Sequence, residues 1–285
     1  MLVSPVVLAF LLTPGVTEVH RGTFPLAATM DNVEPAAKAA TTYRERKDDS
    51  VFRTIFMLTF WAIALPLAAL TGVPWTYLTK DVGFLYRTCM WGAWTGVRLA
   101  GVRVRTLGLE KIDPARTYIF MSNHISNLDP PVTLPLIPRQ SSVMVRKELF
   151  SYPILGPVMR LGSLVPVDRG NRDAGITAVR EAVKVVQAGL NMTIYVEGKR
   201  SFDGRMLPFK KGPFWLAEEC QVPVVPITIS GTQEVMPKAR FAIQPGTVTV
   251  QFHDPIEPED FGDRDRLMAK VRAVINSGLP EGLRE

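Results

Sequence analysis

Between Arg53 and Lys80 the chain runs 26 residues without a charge, and Val82 to Val97 is apolar again apart from Arg87. The first stretch exceeds the roughly 20 residues that a bilayer-crossing helix needs. Pro66 and Pro74 fall inside it, and each removes a backbone donor and can bend a helix. Trp61, Trp75, Trp91 and Trp94, four of the five tryptophans, lie in these two stretches. Tryptophan favours the headgroup level of a membrane. The pattern predicts a membrane-associated helical hairpin over residues 51–99 that dips into one leaflet, with a full span and a buried soluble hairpin as the alternatives.

Downstream the periodicity changes. Apolar runs near Thr117–Met121, Ser141–Val145, Ser163–Val167, Thr193–Val196, Val222–Ile229 and Thr247–Phe252 read as strands. Between them, Asp173–Gln187 carries apolar residues at Ile176, Val179, Ala182, Val183 and Val186, a helical stripe. Lys210–Glu219 and Arg264–Ile275 read as further helices. The expectation is an α/β fold, one mixed sheet flanked by helices, forming a single catalytic domain over residues 100–285.

Residues 1–50 are expected to be a poorly ordered segment. Leu2–Leu12 is apolar but no basic stretch precedes it, which gives little support to a secretory signal. A small-residue linker follows, and translation from Met30 is one reading of this region.

Composition narrows the partners. The chain has 285 residues, is 47% hydrophobic and carries a net charge of +6. A basic, apolar chain suits an anionic lipid surface, and with no recognition fold in view nucleic acid is not expected as a partner. Arg98, Arg103 and Arg105 follow the hairpin and favour a catalytic domain on the cytoplasmic face. Two cysteines make no disulfide framework. No Cys/His cluster of zinc spacing and no glycine-rich phosphate loop is present, so neither a metal nor a nucleotide cofactor is expected.

Only His20, His124 and His253 are available as neutral-pH bases. His124 lies in Asn123-His124-Ile125-Ser126-Asn127-Leu128-Asp129, between the apolar run ending at Met121 and Pro130-Pro131. A carboxylate that accepts from one imidazole nitrogen fixes the tautomer and directs the other nitrogen at a substrate proton. On a continuous helix, a spacing of five turns the two side chains roughly 140° apart. Pairing therefore needs a turn, which Ser126 and Asn127 favour. Asp129 before Pro130 also reads as a helix N-cap. On these residues alone, a catalytic pair and a simple cap with a loop histidine both stand. His253, at the end of a late strand, reads as structural.

Three further strand-like runs end in cations. They are Val143–Val145 before Arg146-Lys147, Leu164–Val167 before Asp168-Arg169, and Thr193–Val196 before Glu197-Gly198-Lys199-Arg200-Ser201. Cations at the carboxyl ends of sheet strands can converge on an anion, and arginine suits bidentate phosphate contact. Taken singly, each is an ordinary solvated charge.

The order of these motifs resembles the 1-acyl-glycerol-3-phosphate acyltransferase family among the glycerolipid acyltransferases. Asn123-His124 with Asp129 is similar to that family's first motif, Val167-Asp168-Arg169 to the end of its second, and Glu197–Ser201 to its third. Phe209-Lys210-Lys211-Gly212 also fits, and Val222-Pro223-Val224-Val225-Pro226-Ile227 resembles the fourth. The resemblance covers roughly Arg98 to Pro255. It implies a glycerol-3-phosphate acyltransferase-like fold in phospholipid biosynthesis, with an amino-terminal membrane hairpin.

The resemblance implies that His124 is the general base and Asp129 its orienting partner. Arg146, Arg169, Gly198, Lys199 and Arg200 would then belong to the substrate site, with Arg169 and Arg200 on the acceptor phosphate and Glu197 shaping the pocket. The implied reaction moves an acyl group from acyl-CoA or acyl-carrier protein to the sn-2 hydroxyl of lysophosphatidic acid, giving phosphatidic acid without a covalent acyl-enzyme. Two positions depart from the family pattern: Lys199 stands for the usual threonine and Val196 for the usual proline. The extra cation opens a second reading, another lysolipid acceptor. A third is a non-catalytic binder of anionic lipid.

Overall fold

The computed structural model describes residues 33–168, 172–201, 203–237 and 242–285, with side chains from Ser50 onward apart from that of Arg172. The readings of residues 1–32, including His20, the apolar Leu2–Leu12 run and a start at Met30, lie outside the described residues.

Two helices come first, α1 (Val33–Thr79) and α2 (Gly83–Leu99), followed by β1 (Val102–Leu107) and β2 (Ile119–Ser122). A short helix α3 (Asp129–Thr133) leads to β3 (Ser141–Arg146), α4 (Leu155–Leu161) and β4 (Val165–Val167). Then come α5 (Arg172–Gln187), β5 (Asn191–Tyr195), α6 (Gly212–Cys220), β6 (Val224–Ser230) and α7 (Thr232–Val235). The chain closes with β7 (Gly246–Phe252) and α8 (Arg264–Gly278).

The strands form one sheet in the order β1-β7-β6-β2-β5-β3-β4. β2 runs parallel to β5 and β6, and β3 runs parallel to β5 and β4. β7 is antiparallel to β6 and parallel to β1, so these two strands run against the other five. The sheet is therefore mixed and flanked by helices, as the apolar pattern predicts. Strand β1 is an addition. Its Val102-Arg103-Val104-Arg105 alternation leaves both arginines exposed on an edge strand.

Side-chain alternation divides the core into two layers. Ile119, Met121, Met192, Ile194 and Val224 face α5, α6 and α8, where Val183, Phe214, Leu216, Leu267 and Val271 meet them. Tyr118, Phe120, Val225, Ile227 and Ile229 face the other way, against Met57 of α1 and Val97 of α2. Central strands covered on both faces are apolar almost continuously, which is why they stand out in the sequence. Each large side chain here is removed from water, with Phe120 and Phe214 fully buried; such burial is worth about 1.5–3 kcal/mol. In α5 the predicted stripe is buried except Ile176, which is 47% exposed.

Helices α1 and α2 form the expected hairpin, joined by a turn at Lys80–Val82, and α1 runs through Pro66 and Pro74 without ending. The first helix starts at Val33, upstream of the hairpin start at residue 51 read from the apolar pattern. Trp61 Nε1 donates to Gly92 O at 3.0 Å, and the absent Cβ of Gly96 leaves room for the same indole. The base of α1 docks on the catalytic domain: Thr54 Oγ1 accepts from Ile243 N at 2.7 Å while donating to Ser50 O. Its outer face leaves Phe52, Ile55, Ile63, Leu67, Leu70 and Leu78 exposed. Among the described residues, Ser50–Thr79 is the one helical stretch long and apolar enough to cross a membrane.

Candidate active site

The five parallel strands deliver their carboxyl ends to one edge of the sheet, where an open α/β fold gathers its functional loops. β2 stops at Ser122 because the next residue replaces backbone pairing with side-chain pairing. Asn123 Nδ2 donates to Ile229 O at 2.9 Å, and Asn123 Oδ1 accepts from Ile229 N at 2.8 Å. The amide thus mimics one more rung of the ladder while the main chain turns away from the sheet, carrying His124 beyond the edge.

The turn brings His124 and Asp129 together. His124 Nδ1 lies 2.7 Å from Asp129 Oδ2. That same oxygen accepts from Ile125 N at 2.7 Å and Ser126 N at 2.9 Å, and Oδ1 accepts from Thr232 Oγ1 at 2.6 Å. Asp129 is fully buried. A carboxylate surrounded by donors leaves Nδ1 to carry a proton toward it, so Nε2 becomes the basic nitrogen of the ring. The Tyr195 ring stacks on the imidazole with centroids 4.4 Å apart and limits its rotation.

The N-cap reading of Asp129 needs correction. Asp129 is the first residue of α3, and Leu128 precedes it as the cap position. Its carboxylate reaches back to Ile125 and Ser126 rather than forward, and the next two residues, Pro130 and Pro131, have no N–H to offer. The proline pair thus leaves the carboxylate available to the histidine.

Glu197, just past β5, is buried at 1% exposure, and each of its oxygens accepts from a backbone amide. Its Oε1 accepts from His124 N at 2.9 Å and its Oε2 from Leu207 N at 2.8 Å, so it fastens the histidine loop to the segment leading into α6. Burial pushes this carboxyl up to about 7, against the two amide donors, which pull it down. Ser201 N donates to His124 O at 2.9 Å, a second tie between the loops. Gly198 takes φ +70 between them, a left-handed turn that suits a residue without Cβ.

Arg146 ends β3 and Arg200 follows β5, and each lies within electrostatic reach of the other. Burial lowers the Arg200 guanidinium from its ordinary value; Asp129 opposes that shift and Arg146 adds to it. Arg146 also meets Glu148 at 3.3 Å in an exposed pair. Lys199 is exposed, one residue nearer the solvent. Arg169 lies outside the described residues, and its neighbour Asp168 is paired with Lys147. The edge thus holds Arg200 within electrostatic reach of both Asp129 and Arg146.

An apolar cavity of about 330 Å³ opens beside His124 and Tyr195 and runs between the hairpin and the sheet. Trp61 and Leu65 of α1, Cys89 of α2, Met144 of β3, and Leu155 and Met159 of α4 contribute to its wall. No sequence motif marks this cavity, because its lining comes from separate elements that only folding brings together. Thr232 is a second residue that motif reading passes over, since 103 positions separate it from Asp129.

Two other titratable side chains take structural places. His253 Nε2 meets Thr228 Oγ1 at 2.8 Å, and burial lowers its pKa, consistent with a structural histidine. Burial pushes the Cys220 thiol up to about 11, which keeps it from serving as a thiolate at neutral pH. Among the described residues no group of three or more His, Cys, Asp or Glu side chains is arranged to hold a metal ion.

The chain is similar to known proteins over most of its length. The family model described as Acyltransferase matches residues 103–230, which contain His124, Asp129, Glu197 and Arg200. A 1-acyl-sn-glycerol-3-phosphate acyltransferase of Limnanthes alba is 32% identical over 212 residues, covering 74% of this chain and 74% of the relative. The enzyme of the same name from Cocos nucifera is 30% identical over 213 residues, covering 73% of this chain and 68% of its own. The crystal structure of the 1-acyl-sn-glycerophosphate acyltransferase PlsC from Thermotoga maritima has TM-score 0.71 at 25% identity, covering 82% of this chain and 95% of that one. The chain belongs to the 1-acyl-sn-glycerol-3-phosphate acyltransferase family.

Proposed function

We propose that this protein acylates the sn-2 hydroxyl of lysophosphatidic acid from an acyl thioester, giving phosphatidic acid. The observation that carries the proposal is the His124–Asp129 pair, buried at the strand edge beside an apolar cavity, with Arg200 within electrostatic reach of Asp129. His124 Nε2 takes the proton of the acceptor hydroxyl as its oxygen attacks the thioester carbonyl. The new oxygen–carbon bond forms, the carbon–sulfur bond breaks, and the imidazolium returns the proton to the leaving thiolate. Asp129 stabilises the imidazolium and holds the ring direction.

Arg146 and Arg200 neutralise the acceptor phosphate, and the cavity between hairpin and sheet takes an apolar chain. The donor carrier is acyl-CoA or acyl-carrier protein; the reaction itself calls for no cofactor. The exposed apolar face of α1 seats the hairpin in a membrane, so the lysolipid hydroxyl reaches the strand edge without leaving its lipid surface. Arg98 in the last turn of α2, with Arg103 and Arg105 just beyond it, favours the cytoplasmic face for the catalytic domain.

The test is an acceptor panel. Purified protein in mixed micelles is offered lysophosphatidic acid, lysophosphatidylcholine, lysophosphatidylethanolamine and lysophosphatidylglycerol with each donor, and products are identified by mass spectrometry. Phosphatidic acid as the main product supports the proposal. Preference for a diester headgroup moves the assignment to another lysolipid acyltransferase, and vesicle binding without any acyl product supports a lipid-binding role instead.

A further inference from the structure

The helix α7 has four residues, yet both of its ends are tied to the turn that carries His124. At its start, Thr232 Oγ1 donates to Asp129 Oδ1 at 2.6 Å. Just past its end, Met236 O accepts from Ser126 Oγ at 3.0 Å, and Ser126 Oγ in turn accepts from Leu128 N. Thr232, Ser126 and Asp129 are all fully buried. A threonine hydroxyl within a helix commonly bonds a carbonyl one turn back. Here the chain one turn back is strand β6, and the hydroxyl crosses to another loop.

The turn that delivers Thr232 is specific. Gly231 takes φ +87, and a Cβ there would stand 2.5 Å from Thr247 O, so the β6–α7 corner presses directly against β7. Asp129 Oδ2 already receives three donors, from His124, Ile125 and Ser126. Oδ1 faces Thr232. Two oxygens held from opposite sides cannot swing, whereas a carboxylate held through one oxygen can pivot about it.

We propose that Thr232 is a positioning residue for acyl transfer: it acts through Asp129 to fix the plane of the carboxylate and hence the direction of the His124 ring. The inference rests on the His124 general-base reading above. Thr232 touches neither substrate nor the reacting atoms, so its removal changes how well Nε2 is aimed rather than how the acceptor binds.

The experiment is a double-mutant cycle in the full-length protein, read as thiol release at varied lysophosphatidic acid. Thr232→Val, close in shape, is expected to lower kcat about tenfold to a hundredfold, by analogy with the loss of outer partners that orient metal-ligating side chains, with KM for the acceptor unchanged. Thr232→Ser keeps the hydroxyl and is expected to stay within about threefold of wild type, an order-of-magnitude allowance for a retained donor. In an Asp129→Asn background the Thr232→Val loss is expected to shrink to less than about twofold, because the group it acts through has lost its charge. Should burying valine against the carboxylate prevent folding, Thr232→Ala, which leaves space for a water, supplies the same cycle.

Undiminished kcat in folded Thr232→Val or Thr232→Ala, a rise in KM in place of the kcat loss, or an equal loss in both Asp129 backgrounds would overturn the inference. Each leaves the base assignment intact as long as His124→Ala is inactive. Full turnover in His124→Ala, by contrast, would remove the base assignment and this inference with it.

Discussion

Asp129 Oδ2 sits 2.7 Å from His124 Nδ1 across a turn, although the two stand five positions apart and a helix of that spacing would point their side chains apart. The turn, two prolines without N–H groups and a threonine from beyond β6 combine to produce that contact. In an Asp129→Asn variant the Thr232 hydroxyl can reverse and accept from the new amide, so the fold should survive. What is lost is the charge opposite the imidazolium. We expect kcat to fall about a hundredfold or more with little change in melting temperature, measured by thiol release and thermal unfolding.

Arg200 is half-buried within electrostatic reach of Asp129 and Arg146 at the sheet edge, where the proposed acceptor phosphate would meet it. Loss of one charge-assisted hydrogen bond costs about 1.5–3 kcal/mol, or roughly tenfold to a hundredfold in affinity. Arg200→Ala is therefore expected to raise KM for lysophosphatidic acid by that factor. For a monoacylglycerol acceptor, which has no phosphate, the change should be far smaller. Equal effects on both acceptors would show that Arg200 serves the fold and not the headgroup.

Glu197 makes stability depend on pH. Burial holds its carboxyl at about 7 in the folded protein, against an ordinary value of 4.5. Between these values the folded chain keeps a proton that the unfolded chain has released. The contribution is complete below 4.5 and is lost as pH rises through about 7, amounting to up to roughly 3 kcal/mol. Wild type should lose melting temperature from about pH 5 to pH 8 more steeply than Glu197→Gln. Parallel curves would mean that Glu197 does not titrate in this window.

The hairpin depends on Gly96. A Cβ there would collide with the Trp61 indole, whose Nε1 holds Gly92 O. Gly96→Val is expected to separate α1 from α2 and cost about 1–3 kcal/mol through overpacking. Trp61 should then move to a wetter setting, seen as red-shifted fluorescence and an earlier thermal transition.

Much of this architecture is legible in the sequence because the physics is local. The central strands are buried on both faces and appear as apolar runs, and α5 shows its stripe at helical spacing with one exception, Ile176. Asp263 caps α8 by accepting from Arg266 N at 2.7 Å, in keeping with the preference for aspartate at that position. Strand β1 is harder to see, since Arg103 and Arg105 read equally well as charges flanking a membrane segment. The reversed direction of β7 leaves no mark in its own residues.

At the site, the motif residues could be picked out by type and order, but their division of labour could not. Glu197 is a motif carboxylate in sequence, but its bonds to two backbone amides could not be read there, because burial and loop closure are decided by segments far along the chain. Thr232 and the cavity wall belong to the same class: their meaning comes from contacts across more than a hundred positions. Arg146 and Arg200 illustrate the intermediate case, a repeated strand-then-cation pattern whose two described arginines lie within electrostatic reach of each other at one sheet edge.

The base assignment to His124 is tested most directly by thiol release from acyl-CoA and from acyl-carrier protein thioester in the presence of lysophosphatidic acid, comparing wild type with His124→Ala. Wild type should release thiol in step with phosphatidic acid from at least one donor, and His124→Ala should be slower by about 10²–10⁴ while retaining the wild-type melting temperature. Thiol release in folded His124→Ala at the wild-type rate would contradict the account.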